Sequence, residues 1–138
     1  MAGNIKLEIV TPEKIVVHEE AQIVMAPGSL GEFGVLVNHT PFMTTLKIGS
    51  VHYRDISGQE RFVFVSGGFA EAMPDRVTIL AESAERRQDI DIERARSAME
   101  RAKKRLAQKE DDTIDFARAK AALERAIHRI KLAESKGI

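Results

Sequence analysis

The residue pattern of this chain changes once, near Glu85, and that change constrains the fold most strongly. Before it, stretches such as IKLEIV at residues 5–10 alternate apolar and polar residues, the period of two that is typical of half-buried strands. After it, Ala, Glu, Lys and Arg dominate, and neither Pro nor Gly occurs before Gly137, a composition that favours helix. We therefore expect two domains, first β and then α.

The first domain, residues 1–85, is predicted to be an antiparallel β-sandwich. Its runs of β-branched and aromatic residues are separated by Gly, Pro or Asp at roughly regular spacing, which is the pattern of an all-β sandwich or barrel. Because each turn signal is taken to end a strand, we expect about eight to ten short strands.

The second domain, residues 86–138, is predicted to be an antiparallel helical hairpin. Apolar residues recur at every third or fourth position over about 90–108 and again over 114–134, which indicates two amphipathic helices. The intervening QKEDDT is short and polar, so the helices should fold back on each other.

The formal net charge of zero hides an asymmetry between these two domains. Residues 1–85 carry 6 basic and 11 acidic groups, a balance of −5, whereas residues 86–138 carry 15 and 10, a balance of +5. A positively charged hairpin suits an acidic surface on a partner.

Composition also excludes several classes of protein. The chain has no cysteine, so it has neither a disulfide framework nor a thiolate zinc site. Its start, MAGNIKLEIV, lacks the pattern of a secretory signal, and no apolar run approaches the roughly 20 residues that span a bilayer. We expect an intracellular soluble chain that reaches a membrane only through a partner.

A near-repeat runs through the hairpin. DIDIERARSAMERAKKRL, which starts at residue 89, is followed 24 residues later by TIDFARAKAALERAIHRI. Asp91 and Asp115 are placed as helix N-caps, which is sufficient to explain the aspartates and the isoleucines before them. The arginines need another explanation, because on each helix they form a stripe beside the alanine-rich face. These stripes are Arg94, Arg101 and Arg105 on the first helix and Arg118, Arg125 and Arg129 on the second.

Both arginine stripes are predicted to border one groove of the hairpin. In an antiparallel pair, Arg94 comes to lie beside Arg125 and Arg129. Arg101 then faces Arg118. Crowded guanidinium groups repel each other unless an anion intervenes, and their planar forks suit phosphate oxygens. The alternative is a set of solvated arginines, since surface ion pairs contribute only about 0–1 kcal/mol.

Five phrases occur in order along the first domain and are followed by the alanine-rich hairpin: VTPEKIV, GSLGEFGVLVNHTPF, LKIG, FVSGGFAE and VTILAESAE. In these phrases and their order, the chain resembles the epsilon subunit of bacterial F-type ATP synthase along nearly its whole length. The resemblance implies a β-sandwich with a helical hairpin. It also implies a non-catalytic rotor subunit of the central stalk, which couples proton transport to ATP synthesis and requires no cofactor.

The resemblance further implies an ATP site in the hairpin. Family members of the bacilli type carry an I-D-x-x-R-A motif for ATP in the first helix, and arginines farther along the hairpin assist. The matching residues here are Ile90, Asp91, Arg94, Ala95, Arg101, Arg125 and Arg129. ATP would be a regulatory ligand and not a substrate.

One loop of the sandwich is implied to contact the membrane ring of c subunits. This loop corresponds to GEFGVLVNH, and its candidate contact residues are Glu32 and His39. Without the resemblance, Glu32 would be interpreted as a solvated turn residue and His39 as a loop histidine with its hydrogen bonds satisfied. The family commonly has proline where this chain has Val37, and often glycine at Asn38.

The resemblance implies a switch between two positions of the hairpin. Folded against the sandwich, the hairpin would bind ATP. Extended along the gamma subunit, it would meet an acidic segment of the alpha/beta catalytic hexamer and block hydrolysis. The sandwich would bind gamma and rest on the c ring at the cytoplasmic face of the bacterial plasma membrane. A ligand that fits only the folded form favours that form by differential affinity.

Three alternatives to this function are open at the level of sequence. An enzyme is disfavoured because GSLGEFG does not match the GxxxxGK[ST] phosphate loop and the four histidines show no metal-ligand spacing. A nucleic-acid-binding module is disfavoured by the 10 acidic groups of the hairpin and by Phe116 as its one aromatic residue. The third alternative is a purely structural rotor subunit that binds no nucleotide.

Overall fold

A computed structural model describes residues 3–108 and 110–135 of the chain. Within these ranges the chain forms seven strands, a 3-10 turn and two helices, with all strands preceding the helices. The strands are β1 (Ile5–Val10), β2 (Ile15–Gly28), β3 (Gly31–Val35), β4 (Phe42–Asp55), β5 (Glu60–Met73), β6 (Arg76–Ala81) and β7 (Ala84–Arg86). The 3-10 turn at Arg87–Asp89 leads to helices α1 (Ile92–Ala107) and α2 (Phe116–Glu134).

The strands form a sheet that closes on itself. Their order is β1-β6-β5-β4-β2-β3, β1 also pairs with β2, and β7 adds to β5. The predicted β-sandwich with its C-terminal hairpin is therefore confirmed. One detail differs: β1 pairs with β6 in parallel, whereas the other pairs are antiparallel. A parallel pair needs a long crossover connection, and here β2 to β5 lie between the two strands in the sequence.

The strands are fewer and longer than predicted. In the described residues, β2, β4 and β5 each span 14 residues. In β4 and β5, glycines expected to end strands lie inside the strand. Gly67 and Gly68 sit within β5 with φ of 106° and 122°. A Cβ atom at Gly68 would lie 2.0 Å from the carbonyl oxygen of Leu80. Glycine lets the strand pass this point, since no side chain fits there.

The core of the sandwich is aliphatic and is formed by the inward side of the alternating strands. Ile5, Leu7 and Ile9 have no exposed surface, as the period-two pattern predicts. Tyr53 is also fully buried, and its hydroxyl donates to a carboxylate oxygen of Glu19. Burial and that hydrogen bond raise the pKa of Tyr53 to about 12.

The hairpin helices begin where their caps predict. Asp91 precedes α1, and its Oδ1 accepts a hydrogen bond of 3.1 Å from the backbone N–H of Arg94. Asp115 caps α2 in the same way, accepting from the N–H of Arg118 at 3.1 Å. These bonds satisfy free N–H groups of the first turn, so the repeated aspartates have a local structural role in both helices.

The two helices pack through alanines. Ala95 and Ala102 of α1 and Ala119 and Ala126 of α2 are buried, and the helices contact each other along their length. Small side chains allow a close approach of the two backbones but bury little apolar surface per residue. The pair therefore depends on further contact with the sandwich for much of its stability.

Candidate functional site

Helix α2 is the element that attaches the hairpin to the sandwich, through β4 and β5. Phe64 of β5, Ile90 just after the 3-10 turn and Leu132 of α2 form a buried cluster, with Phe64 completely inaccessible and the other two 8% exposed. Ile48, Phe62 and Ala133 pack against this cluster. Ile90 is thus part of the contact between the two domains.

Arg129 of α2 makes the main polar contact in this attachment. Its Nε lies 2.5 Å from a carboxylate oxygen of Glu85, and its guanidinium carbon lies 4.5 Å from the ring centroid of Phe64. Its Nη2 donates to the hydroxyl of Ser83 at 3.5 Å. The side chain of Arg129 is only 24% exposed, so these charge-assisted and cation–π contacts are partly shielded from water.

Arg87 makes a second polar contact, at the far end of α2. Its guanidinium carbon lies 4.6 Å from the ring centroid of Phe62, and its Nη1 donates to the hydroxyl of Ser135 at 3.1 Å. Arg87 belongs to the 3-10 turn between the domains, so this contact connects the C-terminal end of α2 to the segment that precedes α1.

A cavity of about 570 Å³ separates α1 from the sandwich. Helix α1 contributes one wall with Arg94, Ala95, Ala98 and Arg101, and α2 contributes Arg129. The sandwich contributes the turn between β1 and β2 and the segment that joins β6 to β7. This volume lies within the roughly 300–1,000 Å³ of small-molecule sites.

Charged groups dominate the lining of this cavity. Its cations are Lys14, Arg94, Arg101 and Arg129, and its carboxylates are Glu13, Glu82, Glu85, Asp89 and Asp91. Two carboxylates are engaged locally, since Glu85 pairs with Arg129 and Asp91 caps α1. Across residues 3–108 and 110–135, no carboxylate oxygen lies within 4.0 Å of the cationic groups of Lys14, Arg94 or Arg101. Lys14, Arg94 and Arg101 therefore border one space with free donors for an anion, although Glu13, Glu82 and Asp89 border the same space.

The structure brings five of the seven residues implied for ATP binding to this cavity and leaves two outside it. Those at the cavity are Asp91, Arg94, Ala95, Arg101 and Arg129. Ile90 packs in the cluster under α2, and Arg125 is half-buried on α2 outside the cavity lining.

The cavity differs from the predicted groove between two arginine stripes. Its second wall is the sandwich, and Arg118 and Arg125 of the second stripe do not line it. The contact of Phe64 with Leu132 fixes how α2 is rotated on the sandwich, and that rotation places Arg129 at the cavity. The rotation of α2 cannot be predicted from the residue pattern of the hairpin alone.

Sequence reasoning did not identify Thr11 and Lys14 as lining residues of this cavity. Both lie in the phrase VTPEKIV, which contributes to the family resemblance but carries no implied ligand-binding role. Their position beside α1 depends on the docking of the hairpin, and a single sequence carries no signal of it.

The candidate residues for the ring-facing loop lie elsewhere on the sandwich. Glu32 is exposed on β3. His39 is held by its own loop, since its Nδ1 lies 2.7 Å from the carbonyl oxygen of Thr40 and its ring centroid 5.0 Å from that of Phe42. Asn38 has φ of 66°, a left-handed conformation that Asn tolerates better than most residues and Gly better still.

Two further features bear on the type of site. Among the helices that the structure describes, none is long and apolar enough to span a bilayer. In the same residues, no group of three or more His, Asp or Glu side chains is arranged to hold a metal ion.

Comparison with protein families matches both domains. Residues 4–87 match the β-sandwich domain of the ATP synthase delta/epsilon chain, and residues 88–134 match its long α-helix domain. The class of protein that this fold defines is thus a small ATP synthase subunit with a β-sandwich and two helices. The chain belongs to the ATP synthase delta/epsilon chain family, which confirms the resemblance inferred from its sequence.

Individual relatives agree with this membership. The ATP synthase epsilon chain of Desulfosudis oleivorans is 65% identical over 106 residues, which cover 77% of this chain and 80% of that protein. That of Carboxydothermus hydrogenoformans is 47% identical over 109 residues, covering 79% and 81%. A chain in the structure of Euglena gracilis mitochondrial ATP synthase, OSCP/F1/c-ring, superposes with a TM-score of 0.77 at 25% identity, covering 90% of this chain and 78% of that one.

Proposed function

We propose that this chain is a non-catalytic subunit of the central stalk of an F-type ATP synthase and that its docked hairpin binds ATP as a regulatory ligand. Family membership supports the first part. One observation carries the second: Arg94 and Arg101, both without carboxylate partners in the described residues, border a single cavity beside Arg129. The stalk subunit acts in coupling proton transport to ATP synthesis.

The spacing of the cations suits a chain of phosphate groups. Arg94 and Arg101 are two turns apart on one side of α1, which separates their backbones by about 10 Å. An extended polyphosphate can contact both through separate phosphate groups. Beside Arg94, Ala95 and Ala98 leave space for an apolar part of the ligand, as expected for a nucleotide and not for inorganic polyphosphate.

Binding at this cavity would regulate the hairpin because the cavity has walls from both domains. When the hairpin leaves the sandwich, the cavity ceases to exist. A ligand that binds only the docked form stabilises that form by its differential affinity. High ATP would keep the hairpin docked, and low ATP would free its positively charged helices to reach the alpha/beta catalytic hexamer and inhibit hydrolysis.

The outer face of the sandwich offers a surface for the gamma subunit. Ile15, Val10, Leu80 and Phe69 form one row across β2, β1, β6 and β5, as strand register shows. Ile15 is 59% exposed, and Leu80 and Phe69 are each 44% exposed. Contiguous exposed apolar residues of this kind mark protein contacts, and the row is continuous across the sheet.

The ring of c subunits would be contacted at another edge of the sandwich, near Glu32 and His39. Leu30 is completely exposed there, and Leu36 and Met43 are more than half exposed. The solved Euglena relative comes from an OSCP/F1/c-ring assembly, which supports a c ring as a partner of this chain. The subunit would then lie at the cytoplasmic face of the bacterial plasma membrane, held there only by the complex.

The ATP proposal is tested by calorimetric titration of the full chain with ATP, together with thermal unfolding and hydrogen exchange of α2. We expect binding, a higher melting temperature and slower exchange, because a ligand of the docked form stabilises it by mass action. The double variant Arg94→Gln/Arg101→Gln should lose most of this binding.

The matched control for that variant is Arg105→Gln, which removes one positive charge from the same helix outside the cavity and should bind ATP nearly as the unmodified chain does. If millimolar ATP changes neither melting nor exchange, ATP binding is wrong and a purely structural rotor subunit is left. Equal losses in Arg105→Gln would instead indicate nonspecific attraction of the anion to the hairpin.

A further inference from the structure

The turn between β1 and β2 places a lysine of the sandwich at the cavity. Thr11, Glu13 and Lys14 from this turn all line it. The other cations at the cavity come from the hairpin, Arg94 and Arg101 from α1 and Arg129 from α2. Lys14 is thus the one lining cation that the sandwich supplies among the described residues.

This turn has a fixed backbone. The N–H of Thr11 donates to the carbonyl oxygen of Lys14 at 2.9 Å. The hydroxyl oxygen of Thr11 accepts from the N–H groups of Lys14 at 3.2 Å and Glu13 at 3.3 Å. Pro12 restricts the turn further. The backbone of Lys14 is therefore held beside the cavity before a ligand arrives, and only its exposed side chain has to be ordered on binding.

The ammonium group of Lys14 has no competing partner in the structure as described. No carboxylate oxygen in residues 3–108 and 110–135 lies within 4.0 Å of it, although Glu13 and Glu82 line the same cavity. Arg129, by contrast, is already paired with Glu85. Lys14 is accordingly more available to an incoming anion than Arg129 is.

We infer that Lys14 is a further ligand-binding residue, which donates from Nζ to a phosphate oxygen of the nucleotide. This inference depends on the proposed ATP site. It makes the nucleotide a bridge, bound by α1 on one side and by the sandwich on the other. ATP then stabilises the docked hairpin through its own contacts with both domains, in addition to the contacts of α2 with β4 and β5.

The test is calorimetric titration of the full chain with ATP in three forms: unmodified, Lys14→Gln and Lys14→Arg. We expect Lys14→Gln to bind roughly tenfold more weakly, as for loss of one charge-assisted hydrogen bond. Lys14→Arg should restore most of the affinity. Lys6→Gln is the matched control, because Lys6 is an exposed lysine of the sandwich outside the cavity.

Hydrogen exchange gives a second measurement. ATP should slow exchange of α1 in the unmodified chain and do so far less in Lys14→Gln, while the two chains should exchange alike without ATP. Unchanged ATP affinity in Lys14→Gln would overturn the inference and leave the ATP site itself intact. An equal loss in Lys6→Gln would also overturn it, since the effect would then be one of general charge. Absence of ATP binding in the unmodified chain would overturn the proposed function together with the inference.

Discussion

The sandwich and the hairpin are each stabilised by a different kind of contact. The sandwich has a closed sheet around a core of large aliphatic side chains, many with no exposed surface. The hairpin buries chiefly alanines between its helices and meets the sandwich through a small cluster around Leu132. The sandwich is therefore stable by its own burial, whereas the position of the hairpin depends on few contacts.

The largest expected loss of stability comes from a substitution inside the sandwich. In Gly68→Ala, a Cβ would lie 2.0 Å from the carbonyl oxygen of Leu80 at a φ of 122°. We expect a loss of roughly 3–5 kcal/mol in the free energy of unfolding, from backbone strain and displacement of β6. Both domains should then unfold together, because the hairpin loses its support. Chemical denaturation followed by circular dichroism measures this.

The control for that variant is Gly3→Ala. A Cβ at Gly3 would meet only Val37, at 3.8 Å, which is an ordinary contact. Its stability should stay within about 0.5 kcal/mol of the unmodified chain. A small effect of Gly68→Ala would show that β5 and β6 can separate locally, and the contrast between a rigid sandwich and a weakly held hairpin would then fail.

A smaller loss of stability is expected when the contact between the two domains is weakened. Leu132→Ala removes the α2 side chain that packs on Phe64 and Ile90, at a cost of about 2–3 kcal/mol. We expect hydrogen exchange of α2 to accelerate while that of β4 and β5 away from the contact stays unchanged. Ile56→Ala, at a side chain that is 61% exposed, is the control and should change neither. Equal acceleration in the strands would mean that the domains unfold as one unit.

Local patterns predicted most of the fold. The alternation in IKLEIV gives the buried side of β1, and the aspartates at 91 and 115 cap their helices as the repeat predicts. Pairing partners and strand ends depend on residues far apart in sequence. Nothing near β1 indicates its parallel partner β6, and Gly67 and Gly68 look like a turn until the neighbouring strand is known.

The site was predictable on one wall only. The spacing of Arg94 and Arg101 places them on one side of α1, because helical geometry is local. The second wall is formed by the sandwich, and it faces α1 only because α2 docks there. The docking of α2 also decides that Arg129 lines the cavity while Arg125 does not. Lys14 and Arg94 are far apart in the sequence, so their proximity to one cavity follows from the fold and not from a motif.

Acid should weaken the docking of the hairpin before it affects the sandwich. His128 lies on α2 at the contact, and burial lowers its pKa below 6.5, with Lys131 of α2 and Lys47 of β4 acting in the same direction against Glu124. The docked form therefore binds a proton less readily than the released form. Docking is fully stable above about pH 6.5 and weakens as the pH falls below that value.

The titrating group of the sandwich, Asp55, loses its contribution only at a much lower pH than His128 does. Hydrogen bonds from the hydroxyl of Ser57 and the backbone of Gln59 hold the pKa of Asp55 at about 2, so its contribution is lost only as the pH falls from about 3.8 through that value. Relative to the intrinsic exchange rate at each pH, protection of the backbone amides between neutral pH and about pH 5 should thus fall in α2 alone. His128→Gln should remove that pH dependence. If it persists in the variant, another group controls docking.

The smallest effect is expected at the ion pair that joins the ends of the helices. Arg96 of α1 contacts Glu134 of α2 at 2.8 Å and Glu93 at 2.9 Å, and the paired side chains of Arg96 and Glu134 are about half exposed. Exposed pairs contribute about 0–1 kcal/mol and are screened by salt. Arg96→Gln should therefore change exchange of α2 far less than Leu132→Ala does, and added salt should reduce the difference further. If its effect matched that of Leu132→Ala, surface charge and not the buried cluster would hold the hairpin, and the docking would respond to ionic strength as strongly as to any ligand.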